Sequence, residues 1–248
     1  MVRAALLIVA ILAACVADLA SAADPATSPP TRILFIGNSL TYWTDLPQRI
    51  AGVAKATGRA VEVESVAFPA YSLEDHWSDG RALAAIRKGR WDHVVLQQGT
   101  SAHEQGRAQL IEYAGKFAGP IRAAGAKPAV YMVWPLADRP RDFPATIESY
   151  RLAAKAIDAT LLPAGEAWFR VLGRAPRTRL YTDGIHPSSL GSDLAALAIY
   201  FGLFPAGPQE FDEAFVATVA RSLDMQPELR DLFIDAAPRA IDEPIGLR

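Results

Sequence analysis

The sequence predicts an α/β fold, a three-layer sandwich in which a five-stranded parallel sheet is flanked by helices. Short apolar, β-branched runs alternate with helix-like segments, which is the order βαβ units produce. The 248 residues are 51% hydrophobic, enough to fill one sizeable core. No internal repeat and no second domain interrupts the alternation.

The first strand is Arg32 to Ile36, an apolar run that stops at Gly37-Asn38. A helix follows from Leu46 to Thr57, where Ile50, Val53 and Ala54 fall at helical spacing and make a core-facing stripe. Ala60 to Val66 is the second strand and Gly80 to Lys88 the next helix. His93 to Gln97 is the third strand, followed by a long helix from Glu104 to Ala124. Ala129 to Val133, a helix from Thr146 to Ala159, and a short strand at Thr160 to Leu162 complete the sheet. The helix from Ser189 to Phe201 starts just after His186-Pro187, with Ser188 or Ser189 as its cap. From Pro208 to Arg248 one or two helices are expected to pack on the main domain, with Phe211, Phe215 and Val219 on one face.

Two segments carry chemistry. Tyr181 to Gly191 places Asp183 three positions before His186 among turn-forming residues. At that spacing the carboxylate can hold the imidazole in one tautomer, leaving the other ring nitrogen to take a proton from a hydroxyl. A hydroxyl is supplied by Gly37-Asn38-Ser39-Leu40-Thr41, at the carboxyl end of the first strand, where open α/β sheets build their ligand sites. Taken singly, Ser39 also reads as a turn or cap serine and Asp-Gly as an ordinary turn.

Together the segments resemble the SGNH (GDSL-like) hydrolase family, through Gly37-Asn38-Ser39-Leu40 and Asp183-Gly184-Ile185-His186. The resemblance covers roughly residues 32 to 202. It implies a flavodoxin-like sheet of five strands, Ser39 as nucleophile, His186 as general base and Asp183 as its orienting partner. It also implies an oxyanion site made by the Ser39 N–H, a glycine N–H after the second strand and an Asn side chain after the third. Here the chain departs from the family. Ala70 stands at the glycine position and Ser101 where Asn belongs, in Gln97-Gln98-Gly99-Thr100-Ser101. Ala70 still offers a backbone donor, and Gln97 or Gln98 offers a carboxamide, with Gln97 favoured slightly because Gln98 adjoins the turn.

Net charge of −2 and a pI near 6.1 leave no basic footprint for nucleic acid. Arg3 followed by the apolar stretch Ala4 to Val16 reads as an export leader, too short to span a bilayer comfortably. Two processing readings stay open: cleavage after Ala20-Ser21-Ala22, or a lipobox Leu12-Ala13-Ala14-Cys15 with a lipid anchor on Cys15. The expected division is therefore a signal peptide 1–22 (1–14 in a lipoprotein), a linker 23–31 and one domain 32–248, in a periplasmic, secreted or lipid-anchored protein. Cys15 is the sole cysteine, which excludes an internal disulfide.

No metal is expected, because His76, His93, His103 and His186 show no ligand spacing. Tyr71 or His76 could line the cleft or simply pack, and Trp134 could offer a stacking face or anchor a loop. Asn38 is expected to shape the turn around Ser39. The reading is a cofactor-free serine esterase acting on a small-molecule or glycan ester, with acetyl or another short acyl group. A binding protein that keeps the fold and an acyltransferase are the alternatives.

Overall fold

The computed structural model describes residues 29–205, 213–223 and 227–246. The leader with Cys15, most of the linker, and Phe211 lie outside the described residues. The sheet comprises β1 (Thr31–Gly37), β2 (Val61–Ala67), β3 (His93–Leu96), β4 (Lys127–Tyr131) and β5 (Thr160–Leu162), all parallel, in the order β2-β1-β3-β4-β5. In β1, Ile33, Leu34, Phe35 and Ile36 are all buried, as expected of a strand covered on both faces. At the edge, β2 turns Glu62 and Glu64 outward, and both lie within ion-pair distance of Arg32 (3.2 and 3.8 Å). Charges of this kind discourage further strand addition.

The helices are α1 (Ser39–Tyr42), α2 (Leu46–Ala56), α3 (Leu73–Asp79), α4 (Arg81–Lys88), α5 (Glu104–Ala123), α6 (Phe143–Ala156), α7 (Ala164–Arg174), α8 (Ser189–Leu203), α9 (Glu213–Ser222) and α10 (Pro227–Asp242). One layer groups α3 to α6 and the other groups α2 with α7 to α10. Helix α8 is buried along almost its whole length and packs on β5, α2, α7 and α10, so it needs no polar face.

Three helices, α1, α3 and α7, have no counterpart in the sequence reading, and β4 runs Lys127–Tyr131 where that reading has Ala129 to Val133. The helix expected to begin at Gly80 is preceded by α3, which starts at a capping box between Ser72 and Asp75 and ends at Gly80, whose φ of 80° lies in the left-handed region. Glycine alone adopts that conformation without steric cost, so the residue read as a helix start is a joint between two helices. Helix α7 has no counterpart in the reading, because Pro163, Gly165 and Gly173 weaken its local signal. Tertiary burial of Ala167, Trp168 and Val171 fixes it instead.

The strand order reverses between β1 and β3, which opens a crevice at their carboxyl ends. On one flank of the sheet, Arg49 on α2 pairs with the buried Asp193 on α8 and donates to Ser189 Oγ at 3.0 Å. Thr44 Oγ1 meets Ser192 Oγ beside them. These contacts fix the segment after Ser39 to the helix that follows His186.

Candidate active site

Ser39 is the first residue of α1, directly after β1. Asn38 caps this helix: its Oδ1 accepts from Leu40 N at 3.1 Å, and its Nδ2 donates to Tyr71 O at 3.0 Å. Beneath the turn lies the fully buried Gln97, whose Oε1 accepts from Asn38 N (2.9 Å) and Thr41 Oγ1 (2.8 Å). A Cβ at Gly37 would collide with that same Oε1 and with Thr41 Oγ1, which is why glycine ends the strand.

The Asp183-x-x-His186 segment is an Asx-type turn. Asp183 Oδ1 accepts from Ile185 N (3.0 Å) and His186 N (2.8 Å), and Oδ2 lies 2.7 Å from His186 Nδ1. The hydrogen bond from the imidazole, with the two backbone N–H groups behind it, holds the Asp183 carboxyl below the usual carboxylate range. The turn is pinned to the loop after β4 by Ala137 N donating to Gly184 O (2.9 Å) and by Trp134 Nε1 donating to Ile185 O (3.2 Å). Trp134 is buried and stacks on Trp168 at 3.6 Å, so it anchors the loop and offers no stacking face.

These supports bring residues 147 positions apart together, with Ser39 Oγ 3.0 Å from His186 Nε2. The chain Ser39, His186, Asp183 is continuous. Over the imidazole lies Trp43, with ring centroids 4.1 Å apart and planes inclined by 15°. Sequence reading did not single out Trp43, although its spacing of four from Ser39 places both on one face of a helical turn.

The oxyanion candidates fall in different places. Ala70 has φ of 58°, the left-handed region that suits the glycine it replaces. Among the described residues no protein acceptor engages the N–H of Ser39 or Ala70. Gln97, the slightly preferred of the two glutamines, donates from Nε2 to Asn38 Oδ1 (3.0 Å) and Gln98 O (2.6 Å) and does not line the cleft. Gln98 lines the cleft, and its Nε2 reaches Ser101 Oγ at 2.9 Å and Gly106 O at a long 3.4 Å. Ser101, at the family's Asn position, also has positive φ, 54°.

His76 is fully buried and does not line the cleft. Its Nε2 lies 2.7 Å from Gly37 O, and because a carbonyl only accepts, that nitrogen carries the hydrogen. Burial pushes the His76 pKa down. It packs with Phe68 and Tyr71 and supports the end of β1. Among the described residues no cluster of His, Cys, Asp and Glu could hold a metal, and no helix is long and apolar enough to cross a membrane.

The cleft has a volume of about 880 Å³. Among the described residues, no Lys, Arg, Asp or Glu lines it. Its lining includes the apolar side chains of Tyr42, Trp43, Leu136 and Ile185 and hydroxyl and carboxamide groups, including those of Ser72, Thr100, Gln105 and Gln109.

No protein-family model and no curated protein matches the chain. Among solved structures, a protein assigned as an SGNH hydrolase from Slackia heliotrinireducens is 26% identical, with a TM-score of 0.61 over 71% of this chain and 100% of that one. TesA is 21% identical, with a TM-score of 0.54 over 71% of this chain and 99% of that one. An acetyl-xylooligosaccharide esterase from Geobacillus stearothermophilus shares the fold at 15% identity, with a TM-score of 0.56 over 71% and 95%.

Proposed function

We propose that this chain is an SGNH (GDSL-like) hydrolase acting on ester bonds, a serine esterase working through Ser39, His186 and Asp183. The carrying observation is the unbroken chain of contacts from Ser39 Oγ to His186 Nε2 and from His186 Nδ1 to Asp183 Oδ2. His186 takes the Ser39 proton as the hydroxyl attacks the ester carbonyl, and Asp183 stays ionised and stabilises the imidazolium. The oxyanion is held by the N–H groups of Ser39 and Ala70, with Gln98 as the side-chain donor on the cleft wall. His186 then protonates the departing alcohol. Water, deprotonated by His186, releases the acyl group from Ser39.

The substrate of this reading is a short acyl ester of a carbohydrate. The cleft, free of Lys, Arg, Asp and Glu among the described residues and carrying hydroxyl and carboxamide groups, suits a neutral polyol, and the Geobacillus protein that shares the fold is an acetyl-xylooligosaccharide esterase. The leader reading puts the enzyme outside the cytoplasm, as a soluble or Cys15-anchored form. Ser39→Ala tests the mechanism: acetyl ester hydrolysis falls by roughly 10⁴-fold or more with the thermal midpoint retained. Near wild-type turnover in purified Ser39→Ala removes the assignment. A fluorophosphonate probe labels Ser39 in the esterase and leaves a non-catalytic binding protein unmodified.

A further inference from the structure

Tyr42, Trp43 and Ile185 are the exposed large hydrophobic residues among those described, with 37%, 48% and 48% of their surface open, and all three line the cleft around Ser39. Scattered exposed apolar residues need no explanation, but their concentration at one mouth does. The position of His186 says what meets them. Its Nε2 takes the Ser39 proton and must return it to the leaving oxygen, which brings that oxygen within about 3 Å of Nε2. Trp43 lies flat on the same imidazole at 4.1 Å, and Ile185 is the neighbouring residue on the turn. The departing alcohol is therefore delivered beside the Trp43 and Ile185 side chains.

We infer that Tyr42, Trp43 and Ile185 form a leaving-group subsite that holds an uncharged ring alcohol, a pyranose, by its apolar C–H face. The inner face of Trp43 covers His186 and its remaining surface is open to the cleft, so one indole can serve both the base and the sugar. A charged alcohol finds no partner here, because the cleft lining holds no Lys, Arg, Asp or Glu among the described residues. The inference rests on the esterase reading for the role of His186, but its binding arm can be tested without catalysis.

Two measurements decide it. In Ser39→Ala, affinity for an acetylated methyl pyranoside is followed by calorimetry, and adding Trp43→Leu weakens it about tenfold, whereas adding Trp43→Phe restores most of it. In the active enzyme, Trp43→Leu lowers kcat/KM for the pyranoside acetate about tenfold more than for ethyl acetate, mainly through KM, since ethanol is too small to use the platform. Unchanged binding in the Trp43→Leu background, or an equal loss on both esters, overturns the subsite and leaves Trp43 as support for His186 alone. Failure of the esterase reading is separate: Ser39 then resists fluorophosphonate while the calorimetric result still stands or falls by itself.

Discussion

Among single residues, the two adjacent glutamines show how one side-chain chemistry takes two jobs. Gln97 is turned under the Ser39 turn and spends its carboxamide on Asn38, Thr41 and Gln98, whereas Gln98 lies on the cleft wall, where its Oε1 accepts from Leu73 N (3.2 Å) and its Nε2 donates to Ser101 Oγ (2.9 Å) and, at a long 3.4 Å, to Gly106 O. Gln98→Leu is expected to lower kcat by roughly 10²-fold with little change in KM, the signature of a donor that acts on the transition state. Steady-state kinetics on a short acyl ester checks this; an unchanged kcat would leave the oxyanion to the two backbone donors. Ser39, Asp183 and His186 were legible in the sequence as a candidate triad, because Gly-Asn-Ser and Asp-x-x-His are local patterns with local geometry. The direction of each glutamine was not, since it depends on where β3 ends relative to the β1 turn, a long-range matter. Trp43 was missed for a similar reason: its spacing from Ser39 is local, but its partner His186 is 143 positions away.

At the level of elements, the segment after β2 carries the clearest strain. Ala70 sits at φ 58°, where a Cβ crowds the backbone and costs about 1–2 kcal/mol. Ala70→Gly relieves that cost, offset by roughly 0.4–1 kcal/mol of extra freedom in the unfolded chain. The net expectation is a gain of up to about 1 kcal/mol, a rise of about 2–4 °C in thermal midpoint by calorimetry, with hydrolysis within a few-fold because the N–H donor is kept. A fall in midpoint would mean the loop relies on the alanine methyl. Sequence patterning found all five strands, since buried parallel strands read as plain apolar runs. It failed at α3 and α7, where a capping box after a short loop and a glycine-flanked helix give weak periodicity, and where packing supplies most of the stability.

Across the whole molecule, the C-terminal segment is clasped to the sandwich by one buried carboxylate. Glu166 on α7 is fully buried, and its oxygens meet Arg151 Nη2 on α6 (2.6 Å), Arg170 Nη2 (3.3 Å) and the backbone N of Ile245 (2.7 Å). Arg151 Nη1 also donates to Ile245 O at 2.8 Å, so the residues after α10 are held through both backbone groups. Removing one member of such a set leaves unpaired charge inside, at a cost of about 3–5 kcal/mol. Glu166→Ala should lower the thermal midpoint by about 10 °C while kcat per folded molecule is retained, because this clasp lies on elements that do not line the cleft. Parallel melting and active-site titration would check both halves. Nothing in the local sequence announces this contact, which spans 79 positions.

The carboxamide beneath Asn38 comes from a residue 59 positions downstream. Until the third strand has docked beside the first, the alcohol at position 39 belongs to an unformed corner and is as inert as any serine in water. On the proposed mechanism, reactivity is thus a product of assembly: a chain with native-like helices but an unpaired sheet centre would carry Ser39, His186 and Asp183 and still be silent.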